Sequence, residues 1–242
     1  MKKTLIAAFL SLFLFSSANA EIGLNVGLSA QLGEMTAKGK ETNSDTQVNA
    51  ADLIGTQSAT EKAIFGSAGF FIEKDLSFLP GGLGDGLGSR LSIGYDNIMH
   101  DIGLGTQDNA RKASLGAAGA VVESQVHKLE ATVTGFSTIY AQFNITDWLY
   151  VKAGEVTVDV DTRFTQNGVV DTNYGTSHEL DGNVLGFGVQ KTSDNGLFFR
   201  LEYNDYDIDG KAVKSTDTDS TLTATLNEVT GSTGRISIGK AF

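Results

Sequence analysis

The sequence predicts an all-β fold: one eight-stranded antiparallel up-and-down β-barrel that spans a membrane. Eight segments of alternating polarity follow one another along the chain, and the stretches between them are alternately long and short. After the N-terminal region, no stretch reaches the roughly twenty apolar residues of a membrane-spanning helix. Only helices and closed barrels satisfy every backbone hydrogen bond in lipid, so this chain would have to cross a membrane with strands.

The first twenty residues have the layout of a secretory signal peptide. Two lysines give a positive start, residues 5–15 form a mostly apolar run, and Ala18 and Ala20 frame a small-x-small cleavage pattern. At about 1.5 Å per residue the apolar run is too short to cross a bilayer about 30 Å thick. We therefore expect residues 1–20 to be removed and residues 21–242 to form the barrel as a single domain.

Composition narrows the class of protein further. The formal net charge of −11 argues against a nucleic acid partner, because phosphates require a basic surface. The chain has no cysteine, so an exported protein needs a source of rigidity other than disulfides, and a closed sheet supplies one. The 29 glycines and the single proline, Pro80, also fit a barrel, since proline cannot donate a ladder hydrogen bond.

The alternation is clearest in the first segment. From Ile22 to Gly33 every even-numbered residue is apolar and every odd-numbered residue is small or polar, so one face suits lipid and the other a polar interior. The pattern recurs, with varying regularity, at 64–73, 90–96, 128–143, 148–160, 185–190, 197–204 and 234–242. In the segment 148–160 the apolar positions change parity, which predicts a β-bulge near Gly154 and Glu155.

The connections differ in length on the two sides of the predicted barrel. Three are short, at 75–88, 145–147 and 192–196, and four are long and polar, at 34–61, 100–126, 161–181 and 207–231. Long loops at one rim and short turns at the other are typical of outer-membrane barrels. We expect four long extracellular loops and three shorter periplasmic turns, with both chain ends on the periplasmic side.

Charged residues occupy predicted inward positions. An eight-stranded barrel has an interior just wide enough for side chains, and buried charges are costly unless they are paired. We therefore expect a salt-bridge network that closes the barrel, with Arg200 and Glu202 as the first pair and Arg235 beside them; Lys152 also alternates inward. The alternative is a narrow or gated ion path through the same residues. The expected network consists of Glu73, Arg90, Asp96, Lys128, Glu130, Arg200, Glu202 and Arg235.

Aromatic residues predict where the barrel meets the membrane surface. Phe143, Trp148 and Tyr150 flank the short turn at 145–147 and are expected to belong to an interfacial girdle. The chain ends on Phe242 in an alternating strand, which resembles the signal read by the outer-membrane barrel assembly machinery. Lys240 departs from that signal, which usually has an aromatic or apolar residue there; a lysine can reach the lipid headgroups instead.

Strand number, loop asymmetry and final residue together resemble the OmpA/OmpX-type barrels, a group of small porin-like or opacity-type surface proteins. The resemblance covers residues 21–242 and is one of pattern, not of a specific motif. It implies a location in the bacterial outer membrane, with membrane lipid, lipopolysaccharide and the assembly machinery as partners, and we expect a monomer. Family members serve in anchoring, adhesion, stress resistance and weak channel activity.

The sequence offers no catalytic constellation. His100, His127 and His178 are the only histidines, and their neighbours give no nucleophile–base arrangement. Cysteine/histidine metal spacing is also absent, so we expect no cofactor and no metal centre. Acidic residues of the predicted loops could bind divalent cations that bridge lipopolysaccharide, although solvation alone explains them; they are Asp161, Asp171, Asp207, Asp209, Asp217 and Asp219.

Three functions remain open at this point. The first is a structural or surface-interaction protein of the outer membrane, with loops that form an adhesion or recognition surface and an interior closed by polar residues. The alternative is a small porin-like channel for ions or small solutes. The third is a soluble periplasmic ligand-binding barrel of lipocalin shape, in which the apolar face would point inward.

Overall fold

The computed structural model describes residues 23–43, 55–77, 86–112, 124–166, 169–171, 177–214 and 222–242. The expected signal peptide, residues 1–20, lies outside these ranges, as do Asp217 and Asp219. Among the described residues, no helix is long and apolar enough to span a bilayer.

Ten strands make up nearly all of the described chain. Each pairs antiparallel with its neighbours in the sheet. The strands are β1 (Leu24–Asn43), β2 (Gly55–Asp75), β3 (Leu91–Ile98), β4 (Ile102–Lys112), β5 (Ser124–Asn144), β6 (Leu149–Gln166), β7 (Val169–Asp171), β8 (Ser177–Thr192), β9 (Leu197–Lys214) and β10 (Leu222–Ala241).

These strands form eight barrel positions, as predicted. Strands β3 and β4 are two parts of one position, because both pair with β5, and β7 is a short addition beside β6. Strand β1 pairs with β10, which closes the ring. At this closure, the backbone N–H of Phe242 donates to the carbonyl of Leu24 at 2.8 Å. The fold is therefore a closed, antiparallel, up-and-down barrel of eight strands.

Much of the chain predicted to form long loops is strand. Strand β1 continues to Asn43, which pairs with Gly55 of β2, and β9 and β10 stay paired to Lys214 and Thr223. A twenty-residue strand is about 65 Å long, and at the tilt of a barrel it rises about 50 Å, roughly twice the height of a bilayer-spanning apolar band. The barrel wall therefore has two halves. The turn-side half adjoins the short turns and chain ends, and the loop-side half lies beyond it.

The predicted bulge near Gly154 and Glu155 is wrong. Strand β6 pairs with β8 without interruption from Leu149 to Asp161. The register shift lies instead on the partner strand β5, between Val133 and Gly135. The parity change in β6 has another cause: its inward positions change from polar to apolar along one continuous strand.

Candidate functional site

The turn-side half is apolar outside and polar inside. Strand β9 shows this most simply, because Arg200 and Glu202 are buried while Leu201 and Tyr203, which alternate with them, are 58% and 43% exposed. An exposed apolar belt continues around the barrel on the other strands. Its residues include Leu32, Ile64, Ile72, Ile93, Ile139, Val151, Leu185, Phe187, Val189, Phe199, Ile236 and Ile238. This polarity suits lipid, and it is the reverse of the arrangement in a lipocalin-type barrel.

The pair Arg200–Glu73 joins opposite walls of this interior. Arg200 donates from both terminal nitrogens to the two carboxylate oxygens of Glu73, with Nη2 at 2.6 Å from Oε2. Its Nε donates to Gln190 Oε1 at 3.0 Å, and Tyr140 Oη donates to Glu73 Oε1 at 2.7 Å. Both charged groups are therefore buried with several hydrogen bonds, which is the condition under which a buried ion pair is tolerated.

A second cluster surrounds Glu202. Lys152 Nζ donates to Glu202 Oε1 at 2.7 Å, Tyr150 Oη donates to Oε2 at 2.8 Å, and Asn204 Nδ2 donates to Oε1 at 2.9 Å. Arg235 Nη1 lies 3.6 Å from the same carboxylate. Glu202 thus has donors on both oxygens, and it links β6, β9 and β10 across the interior.

Arg235 extends this cluster to the far wall, where it forms an ion pair with Asp96 of β3. The buried network then contains three cations, Arg200, Arg235 and Lys152, and three carboxylates. Because the charges balance, no net charge has to be solvated inside the barrel. The network fixes one arrangement of the facing strands.

Aromatic rings fill the remaining space around the charges. The guanidinium carbon of Arg200 lies 4.7 Å from the ring centre of Phe198 and 5.1 Å from that of Phe71, within cation–π range. Two glycines make room for the tyrosines. A Cβ at Gly94 would come within 2.6 Å of Tyr140 Oη, and a Cβ at Gly188 within 2.5 Å of Tyr150 Cζ. The tyrosines can reach the carboxylates because these facing positions lack side chains.

The loop-side half reverses this polarity. Its interior is an apolar cluster in which Phe136 and Tyr206 pack edge to face with ring centres 5.4 Å apart. The buried members of the cluster are Met35, Phe65, Ile98, Ile102, Val133, Phe136, Val156, Val158, Val160, Leu180, Val184, Tyr206 and Ile208. A second layer of side chains therefore fills the barrel above the charged network.

The outer surface of the loop-side half is polar and, on β6, β8 and β9, acidic. Asp161, Asp207 and Asp209, which were predicted to lie in loops, lie on β6 and β9. The exposed carboxylates of this face, here termed the acidic face, are Glu155, Asp159, Asp161, Glu179, Asp181, Asp205, Asp207 and Asp209. This half has the polarity of a water-soluble barrel, so the boundary between the halves is where the surrounding medium changes from oil to water.

Five of the eight residues expected in the network come together in the turn-side interior: Glu73, Asp96, Arg200, Glu202 and Arg235. The other three do not. Arg90 is exposed in a turn before β3 and donates to the carbonyl of Ile145 at 3.1 Å. Glu130 lies on the outer face, 3.9 Å from Arg163, because the bulge in β5 reverses the parity of that strand. The Lys128 side chain lies outside the described part of the chain.

The three aromatic residues expected at the membrane interface do not all lie on the outer face. Trp148 is 56% exposed beside the short turn, and Phe143 is half-buried on the outer face. Tyr150 is fully buried inside and hydrogen-bonded to Glu202, so its assignment to the girdle is wrong. Tyr140 was missed, although parity with Thr138 and Gln142 would have placed it inside.

Comparison with models of known protein families and with curated proteins gave no match. Among solved structures, the chain is similar to Ail, the attachment invasion locus protein of Yersinia pestis, with 9% identity, coverage of 86% of this chain and 97% of that chain, and a TM-score of 0.28. Neisserial surface protein A is 10% identical, with coverage of 88% of this chain and 97% of that chain and a TM-score of 0.30. The outer membrane protease OmpT of Escherichia coli is 7% identical, with coverage of 90% of this chain and 97% of that chain and a TM-score of 0.35. The architecture rests on the strand pairing of the chain itself.

Proposed function

We propose that this chain is an integral outer-membrane protein whose solid barrel anchors strand hairpins that form a recognition or adhesion surface. The observation that carries the proposal is the filled interior: a charge-balanced network in one half and an apolar cluster in the other. Evolution of a pore would favour an open, wet lumen, whereas an anchor gains stability from a packed one.

The proposal fixes the orientation of the barrel. The turn-side half lies in the membrane with its short turns toward the periplasm, and the loop-side half stands in the extracellular space. Lipopolysaccharide surrounds the barrel, the assembly machinery reads Phe242 during insertion, and the protein acts as a monomer. The signal peptide at residues 1–20 directs export.

Conductance measurements test whether the interior is closed. Purified protein in planar lipid bilayers is expected to give no discrete open levels, with a porin of known conductance as the positive control. Discrete levels that change when Arg200→Ala or Glu202→Ala is introduced would instead favour the porin-like channel.

Labelling of intact cells tests the orientation. Lys40→Cys lies in the loop-side part of β1 and Asp194→Cys in a short turn, and both side chains are exposed. A membrane-impermeant maleimide is expected to label Lys40→Cys in intact cells and Asp194→Cys only after the outer membrane is permeabilised. The reverse result would contradict the orientation, and labelling of both would contradict the location.

The adhesion role is tested by shortening one hairpin. Met35 and Ala63 are paired, so residues 36–62 can be replaced by a two-residue Asn-Gly turn that keeps the register below it. Cells carrying this variant are expected to retain the inserted barrel but to bind matrix or serum proteins less than cells carrying the full hairpin. Equal binding by both would remove the β1–β2 hairpin from the proposed surface.

A further inference from the structure

A groove interrupts the apolar belt on the outside of β5, β6, β8 and β9. It has a volume of about 550 Å³. Its floor consists of Ala141 and Ala153, which are paired with each other across β5 and β6. Large apolar side chains of the neighbouring row, Phe143, Val151 and Phe187, form its turn-side wall. The groove lies where two paired alanines are followed on the turn side by a row of large apolar residues.

The end of the groove on β9 is acidic. Asp205 lines it directly, paired with Leu185 of β8. The next outward row, paired across β6, β8 and β9, contains Glu155 and Asp207 on either side of Asn183. Within the described residues, none of these three carboxylates has an ion-pair partner. An apolar slot therefore leads from the belt to unpaired negative charge at the boundary of the two halves.

We propose that this groove binds one acyl chain of a lipid whose headgroup carries a primary ammonium, with the ammonium beside Asp205. A groove inside the apolar belt faces hydrocarbon, so an acyl chain is the chemistry that fills it. Charge complementarity then selects the headgroup, since N–H donors of an ammonium satisfy single carboxylates. The proposal rests on the membrane location argued above.

The arrangement of carboxylates favours an ammonium over a bridging metal ion. In the part of the chain that the structure describes, no three carboxylate or imidazole groups converge as ligands of a metal would. Divalent cations take six to eight oxygen ligands, or at least an octahedral set, and spaced single carboxylates supply few of them. An ammonium needs only one to three acceptors.

The test is lipid retention measured by native mass spectrometry. The full mature chain is reconstituted in EDTA with equal amounts of phosphatidylethanolamine and phosphatidylglycerol of identical acyl chains, then transferred to detergent. The wild type is expected to retain phosphatidylethanolamine over phosphatidylglycerol by roughly threefold, the scale of a partly exposed ion pair. Asp205→Asn is expected to abolish this preference, and Ala153→Phe to reduce retention of both lipids by filling the groove.

Matched controls separate the groove from the rest of the belt. Ala30→Phe enlarges an exposed alanine on β1, and Asp209→Asn removes an equal charge further along β9; both are expected to behave like the wild type. Ala141→Phe replaces Ala153→Phe if the latter does not fold, as judged by migration of unboiled samples in gels. A wild type without headgroup preference, or an equal loss in Ala30→Phe, would overturn the proposal.

A parallel arm identifies the competing occupant. Lipopolysaccharide is offered with magnesium and then with EDTA. Retention of lipopolysaccharide only with magnesium, together with no preference for phosphatidylethanolamine, would show that a metal-bridged phosphate lies at Asp205 and would overturn the ammonium assignment. A protein found outside the membrane fraction of cells would instead contradict the proposed location, so the two failures are distinguishable.

Discussion

At the scale of single residues, Arg200 shows how a buried charge holds this interior together. Its guanidinium is hydrogen-bonded to Glu73 and Gln190 and lies against the rings of Phe198 and Phe71. Glu73 and Phe71 lie on β2 and Gln190 lies on β8, whereas Phe198 precedes Arg200 by two residues on β9. Three strands therefore position this side chain. Removing one partner leaves the others around an uncompensated charge, and that asymmetry makes the pair testable.

Replacing Glu73 by glutamine should destabilise the barrel strongly. The substitution leaves the buried Arg200 without its carboxylate, which typically costs about 3–5 kcal/mol. Unfolding by guanidinium in phospholipid vesicles measures the loss. Glu34→Gln, an exposed carboxylate on the outward face of β1, is the control and should change the free energy of unfolding by less than about 0.5 kcal/mol. Similar effects of the two substitutions would contradict the network.

The close approach of Tyr150 to Gly188 gives a second test at this scale. A methyl group at Gly188 would displace the tyrosine ring and weaken its bond to Glu202, so Gly188→Ala should cost about 1–3 kcal/mol through overpacking. Gly234 is the matched position, because nothing lies within 4 Å of a Cβ built there. Gly234→Ala should therefore leave the same unfolding curve nearly unchanged. An equal loss in both variants would contradict close packing between Tyr150 and Gly188.

At the scale of one element, β5 decides which charges enter the barrel. A register shift between Val133 and Gly135 switches the face of the strand, so Val133 joins the apolar cluster while Glu130 lies outside near Arg163. One extra residue in a strand reverses the sides of everything beyond it. The same shift explains why inward parity counted from Gln142 fails for the distal part of the strand.

Cysteine accessibility checks the bulge directly. Thr134 is exposed and Val133 is buried, the opposite of what uninterrupted alternation predicts. Thr134→Cys should react readily with a water-soluble maleimide in intact cells, whereas Val133→Cys should react slowly. Fast labelling of Val133→Cys together with protection of Thr134→Cys would restore the unbroken strand and place Glu130 inside.

At the scale of the whole molecule, the barrel exchanges inside and outside chemistry along its axis. In the turn-side half, charges lie inside and Leu201 and its neighbours lie outside. In the loop-side half, Phe136 and its neighbours lie inside and the acidic face lies outside. Each half obeys the same rule, that apolar surface avoids water. In the turn-side half the apolar surface faces outward and lipid covers it. In the loop-side half the apolar surface faces inward and the barrel wall encloses it.

The two halves should therefore respond differently to a cavity. Phe136→Ala removes a buried ring from the apolar cluster and should cost about 3–5 kcal/mol in that half. We expect added protease to cut the loop-side hairpins of this variant on intact cells while unboiled protein still migrates as a folded barrel. Ile139→Ala, on the exposed outer face of the same strand, is the control and should stay resistant. Loss of the folded species in Phe136→Ala would show that the halves unfold as one unit.

The sequence by itself determined the eight strands, their order and the alternation of their faces, because a period of two residues is a local property of each segment. It also determined that Glu73, Asp96, Arg200, Glu202 and Arg235 share the inner face. The predicted strand ends were wrong, because polar outward residues such as Asp207 and Asp209 are typical of loops and also of strands that face water.

Only the tertiary structure decided the position of the bulge, the contact of Tyr150 with Gly188 and Glu202, and the division of the interior into charged and apolar layers. Each of these depends on which residue faces which across the closed ring. The ring of Tyr150 fits inside because Gly188, which faces it, has no side chain, and Glu130 lies outside because β5 shifts against β6. Such pairings join residues far apart in the chain, and closure of the ring fixes them only when all eight positions are in register.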